Sequence, residues 1–182
     1  MKKFKRFLGV LCAACMMLSV SAHGFAVESP NAGLVQAGTL DNGVRYVVVR
    51  LTEEQLRQEE MSRSYNPGNV HVTVPKADWN GTNGVQIGNS FIAAPDKYVY
   101  VKPGNITPSI GYVNISFSYI SGETNSKYIE AVGSNEVVIF ELNNPEQLGV
   151  LKASGTEGAG SVGFTVKTML ECPDEYNYFE KV

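Results

Sequence analysis

The stretch DWNGTNG, Asp78 to Gly84, gathers the side chains best suited to touching a ligand. Trp79 is the single tryptophan of the chain. Its ring can stack on a sugar face while Asp78 and Asn80 bond the surrounding hydroxyls. The same stretch supports a metal reading. Asp78, Asn80 and Thr82 mimic the first three ligands of an EF-hand-like calcium loop, but the glycine is displaced by one place and Asn89 stands where the bidentate glutamate belongs. A third reading is packing, with Trp79 folded back as a cap on the core. Tyr98 and Tyr100 form a second candidate surface, since alternate residues share one strand face. Tyrosine ladders stabilise sheets by about 0.2–1 kcal/mol per pair, and tyrosine is also enriched where proteins meet. The terminal EYNYFEKV adds Tyr176, Tyr178 and Phe179.

Catalytic sets are harder to assemble. Beyond residue 26 the chain holds one histidine, His71, and one cysteine, Cys172. A Ser or Cys nucleophile needs a base, and only folding together of these two residues would provide one. Cys172 also lies between Glu171 and Asp174, whose charges disfavour a thiolate. GAGSVG, Gly158 to Gly163, fits the G-x-G-x-x-G spacing. That fingerprint requires a following helix to meet the pyrophosphate, whereas FTVKTML reads as a strand. Ser161 fails as a nucleophile elbow for the same reason, and a hairpin loop of small residues is the expectation. The 18 acidic residues show no spacing that selects a catalytic pair.

TLDNGVRYVVVR, Thr39 to Arg50, resembles the opening strand of the insulinase-like zinc peptidases. That resemblance would imply a His-x-x-Glu-His helix, with two imidazoles on zinc and a carboxylate as base. His71 is followed by VTVP, without the glutamate or the second histidine. The resemblance covers twelve residues and none of the catalytic ones, so Asp41-Asn42-Gly43 reads as a turn feeding a strand.

The ends and the charge set the setting. MKKFKR followed by the uncharged Phe7–Val20 run reads as a secretory signal peptide, cut after Ala22 or after Ala26. The run is shorter than the roughly 20 apolar residues of a membrane span. The expected organisation is a leader over 1–26, a flexible lead-in over 27–37 and a single domain over 38–182. The whole chain carries 15 basic and 18 acidic residues. The leader takes Lys2, Lys3, Lys5 and Arg6 and no acid, which leaves 11 basic residues and a net charge of −7. No basic cluster remains for a phosphate backbone or an anionic membrane surface. With Cys12 and Cys15 in the leader, a disulfide framework is excluded and the fold must stand on its core.

The elements that must position these residues are short strands. Alternation is clearest in GYVNISFSYI, with Val113, Ile115, Phe117 and Tyr119 opposed to Tyr112, Asn114, Ser116 and Ser118. SVGFTVKTML sets Val162, Phe164, Val166 and Leu170 against Gly163, Thr165, Lys167 and Met169. VHVTV and KYVYV alternate too, while VRYVVVRL and EVVIFEL are apolar on both faces, as central strands are. GVQIGNSFIAA, KYIEAV and LGVLKA are weaker candidates, and GLVQAG can add an edge strand. Turns such as Asn66-Pro67-Gly68, Pro103-Gly104 and Asn143-Asn144-Pro145 separate the runs. LTEEQLRQEEMSR supplies one helix near 53–62, with a Thr52/Gln55 capping box and expected pairs Glu53–Arg57 and Glu59–Arg63. Its few apolar residues place it over a sheet edge or barrel end. The expectation is an all-β, antiparallel two-sheet sandwich, immunoglobulin-like or jelly-roll-like, with one short surface helix.

Functionally, this describes a secreted, bacterial, non-catalytic binding or surface-associated module with no cofactor. Its expected partner is a glycan or an extracellular protein, met through loops, and neither nucleic acid nor a membrane span. An extracellular assembly subunit and a carboxylate-based hydrolase are the alternatives.

Overall fold

The computed structural model describes residues 33–63, 69–78, 83–121 and 127–181, all within a unit running from Asn31 to Val182. Thr39–Arg50 is indeed turn and strand. Strands β1 (Gly33–Thr39) and β2 (Arg45–Arg50) pair antiparallel across Asp41-Asn42-Gly43. Gly43 takes a φ of 80°, which an L side chain resists. The Asn42 side-chain oxygen accepts the Val44 N–H at 3.1 Å, and Leu40 donates to the Val44 carbonyl at 2.8 Å. β1 begins at Gly33, inside the expected lead-in, so GLVQAG supplies the edge strand.

The remaining strands are β3 (Asn69–Val74), β4 (Val85–Gln86), β5 (Phe91–Ile92), β6 (Tyr98–Gly104), β7 (Val113–Tyr119), β8 (Ile129–Val132), β9 (Glu136–Glu141), β10 (Leu148–Gly155) and β11 (Gly160–Met169). They form two antiparallel sheets. The larger has the order β1-β2-β9-β6-β11-β3. The smaller runs β4-β10-β7-β8, with β5 also on the β10 edge. The period-two sets meet between them: Val48, Val99, Val101, Val138, Phe140, Val162 and Phe164 face Ile115, Phe117, Ile129, Leu151 and Ala153. Each such side chain contributes about 1.5–3 kcal/mol when fully buried. This is the expected two-sheet sandwich.

Two details differ from the alternation. Leu170 lies past the end of β11 and is exposed, whereas Met169 packs on the opposite face of the large sheet. On β7 the polar face is also buried, because other chain segments close over it: Asn114 accepts the Ala131 N–H at 3.1 Å, and Tyr128 bonds Ser116.

A second core lies outside the sandwich. Val47, Val49, Val137, Ile139 and Tyr100 point away from the small sheet and pack against Cys172, Tyr176 and Phe179. Helix α1 (Glu53–Arg63) adds Leu56 to this cluster, so it covers a sheet face rather than an edge. Its capping box is formed: Thr52 Oγ1 accepts the Gln55 N–H at 3.2 Å, and Gln55 Oε1 accepts the Thr52 N–H at 2.8 Å. Arg57 pairs with Glu54, three residues away, at 3.6 Å. Glu59 reaches Lys167 on β11 at 3.3 Å and ties the helix to the sheet. Among the described residues no helix is long and apolar enough to cross a membrane.

Candidate functional site

Of the loop read as a sugar or calcium site, Trp79, Asn80 and Thr82 lie outside the described residues. Its two flanks are well defined. Lys76 bridges to Gly155 at the end of β10, where Ala77 donates to the Gly155 carbonyl at 2.7 Å. Asn83 joins the flanks: its oxygen accepts the Asp78 N–H at 3.1 Å, and its amide donates to the Lys76 carbonyl. Asp78 itself is exposed. Gly84 follows directly beneath Tyr128, whose hydroxyl bonds Ser116 and the Gly84 backbone. A Cβ at Gly84 would stand 2.0 Å from that hydroxyl. Among the described residues no group of three or more His, Cys, Asp or Glu is placed to hold a metal ion.

The two tyrosines read as a second candidate surface lie against the C-terminal aromatics. Tyr100 is only 2% exposed, with Tyr176 at 6.2 Å between ring centroids and the Lys167 ammonium 5.2 Å over its ring. Tyr98 is half-buried against Phe179 at 5.7 Å. The terminal aromatics occupy the face these two tyrosines would offer. Burial is the main reason the Tyr98 hydroxyl titrates above its ordinary range, with the Glu141 charge adding to it.

His71 and Cys172 are not brought together. His71 is exposed on β3 opposite Gly163. Cys172 lies beyond the other end of β11, past Met169, six residues and roughly 20 Å along the strand from Gly163 at about 3.3 Å per residue. Burial, then Glu141 and Asp174, push the Cys172 thiol up to about 11. GAGSVG is not a hairpin either. Gly158 and Ala159 end the connection from β10 to β11, which belong to different sheets, and Gly160 to Gly163 open β11; Gly158 packs so closely that a Cβ would meet the Ser109 carbonyl oxygen at 2.4 Å.

A concave feature among the described residues lies at one end of the sandwich, where the turns at 41–43, 93–96 and 143–145 converge. A cleft of ≈ 360 Å³ is lined by Gly43, Arg45, Lys97, Glu141, Leu142, Asn143 and Pro145. Its polar walls are held in place. Asn143 accepts the Tyr119 hydroxyl at 2.9 Å and donates to the Asn42 carbonyl at 3.1 Å. Asn42 in turn donates to the Phe117 carbonyl at 3.1 Å, stitching a large-sheet turn to the small sheet. The register of β2 on β9 sets Arg45 opposite Glu141, and they pair at 2.9 Å. Arg45 also donates to the Phe179 carbonyl and lies 5.3 Å over the Phe179 ring. The Lys97 backbone is fixed on both sides, donating to Met169 at 3.0 Å and accepting from Leu142 at 2.8 Å. Its side chain is exposed and, among the described residues, in no ion pair.

None of these cleft residues stood out in the sequence. Asp41-Asn42-Gly43 and Asn143-Asn144-Pro145 were legible as turns, but their adjacency is a product of strand order. Comparison with protein-family models, curated proteins and solved structures gave no match.

Proposed function

We propose that the protein is a secreted, non-catalytic binding module that takes its ligand at a loop-built end of the sandwich. The observation that supports this reading is the cleft of ≈ 360 Å³ among three turns, with walls fixed by Asn42, Asn143 and Arg45. Its volume falls at the small end of the roughly 300–1,000 Å³ of ligand pockets, and loops on a rigid scaffold are where binding residues concentrate. Export follows from the reading of residues 1–26 as a leader.

The test is retention of the purified protein on cell-wall and polysaccharide matrices, with Lys97→Ala and Trp79→Ala beside it. Retention weakened at least several-fold by Lys97→Ala places binding at the cleft. Retention lost only with Trp79→Ala moves it to the 78–84 loop and removes the cleft from the proposal. No retention by any form sinks the glycan partner.

A second reading, an assembly subunit, draws on the small sheet. Ile92, Leu148 and Ile120 are exposed in a row across β5, β10 and the end of β7. An oligomer on size exclusion that dissociates with Leu148→Asp favours that reading.

A further inference from the structure

The cleft's charges specify more than its presence. Arg45 and Lys97 each bring one positive charge and Glu141 one negative, so the lining carries a net charge of +1. The three are not equivalent. Arg45 is clamped by Glu141, the Phe179 carbonyl and the Phe179 ring, and its charge is opposed at 2.9 Å. Glu141 is held by Arg45 and by the Tyr98 hydroxyl at 3.4 Å. Lys97 stands on a fixed backbone with an exposed ammonium, in no ion pair among the described residues. A guanidinium has five N–H donors, and the two contacts made here leave others available. Leu142 and Pro145 give the remaining wall an apolar surface.

We infer, building on the proposed role of the cleft as the binding site, that it takes a single carboxylate group with Lys97 as its charge partner. The carboxylate is carried on a compact body the size of one sugar ring or two amino-acid residues. One uncompensated positive charge matches one carboxylate. A phosphate dianion would bring a second negative charge beside Glu141, and like charges at close range disfavour each other. A neutral ligand would leave the Lys97 ammonium uncompensated. Charge-assisted hydrogen bonds are roughly twice as strong as neutral ones, so the carboxylate should dominate affinity over the body that carries it. Two sources offer this chemistry: an acidic sugar and the C-terminus of a peptide.

The experiment is an amide NMR titration of the purified protein with glucuronate, with the N-acetylated dipeptide Ala-Ala, and with their neutral counterparts methyl glucoside and the N-acetylated Ala-Ala amide. The expected result is saturable shifts at Gly43, Lys97 and Asn143, with at least tenfold preference for a carboxylate over its neutral counterpart. Lys97→Ala should abolish that preference and Lys97→Arg should keep it. Lys152→Ala, an exposed lysine on the other sheet, should change nothing. Glucuronate alone identifies the acidic sugar as the source, the dipeptide alone a peptide terminus, and both a carboxylate site indifferent to its carrier. Equal binding of neutral and charged probes, or unchanged preference in Lys97→Ala, overturns the inference and leaves the cleft reading standing. No shift at the cleft with any probe overturns both.

Discussion

The two sheets share one core but treat their outer faces differently. The large sheet turns Val47, Val49, Val137, Ile139 and Tyr100 outward, and helix α1 and the residues from Cys172 to Phe179 cover them. The small sheet turns out Asn114, Ser116, Ser118 and Lys152 on β7 and β10. That face is closed locally by polar contacts: Asn114 to Ala131, and Tyr128 to Ser116 and Gly84. An apolar outer face recruits chain to shield it, because area removed from water stabilises by about 25 cal/mol per Å². A polar one is satisfied by a few hydrogen bonds, worth about 0.5–1.5 kcal/mol each, and can leave its neighbours open. The exposed row of Ile92, Leu148 and Ile120 lies on this less covered side.

Removing the roof tests that contrast most severely. Tyr176→Ala leaves a void beside Tyr100 and should lower stability by about 3–5 kcal/mol, as large aromatic truncations in cores do. Ile92→Ala on the open side should stay within about 0.5 kcal/mol of the wild type. Urea unfolding midpoints of the two variants decide it. Equal midpoints would mean that the C-terminal segment is an appendage and the second cluster no part of the cooperative fold.

The small sheet's covering depends on one close approach. Gly84→Ala places a Cβ 2.0 Å from the Tyr128 hydroxyl and 2.9 Å from the ring carbon bearing it. The expected loss is about 1–3 kcal/mol, the usual range for overpacking. A Tyr128→Phe partner removes the nearer of the two clashes, so the double variant should lose less than the sum of the singles. Strict additivity in that cycle would show that Tyr128 does not rest on Gly84.

The same contrast explains what the sequence could reveal. Period-two runs such as VNISFSY and GFTVK announce the sandwich, because a strand buried on one side must alternate. EVVIFEL announced two buried faces but not what buries the second. The covering Tyr176 and Phe179 lie far along the chain and are read locally as a polar, aromatic tail. Tyr98 and Tyr100 suggested a contact surface for that reason, although their partners are those same aromatics. The capping box needed only four consecutive residues and was legible in full. The cleft was not. Arg45 and Glu141 are 96 residues apart and meet through the β2–β9 register, while Asn42 and Asn143 meet only once both sheets have formed.

Alkaline pH gives the finest probe, since its effect is absent near neutrality. Burial, followed by the charges of Glu175 and Glu59, pushes the Tyr176 hydroxyl from 10.0 to about 12. Cys172 beside it is pushed from 9.0 to about 11, by burial first and then by Glu141 and Asp174. In both cases the folded chain keeps a proton that the unfolded chain releases, so stability falls as pH rises. Cys172 contributes fully below about pH 9 and loses its share by about pH 11, and Tyr176 does the same between about 10 and 12. Cys172→Ala should therefore make the fall of the urea midpoint shallower between pH 9 and 11, most plainly between 9 and 10 where Tyr176 does not yet contribute, and leave the part of the fall that Tyr176 causes. Comparing the variant with the wild type at each pH cancels whatever the two chains share. An unchanged slope between pH 9 and 10 would mean that the thiol is solvated in the folded chain, and that the roof over the large sheet is open at its Cys172 end.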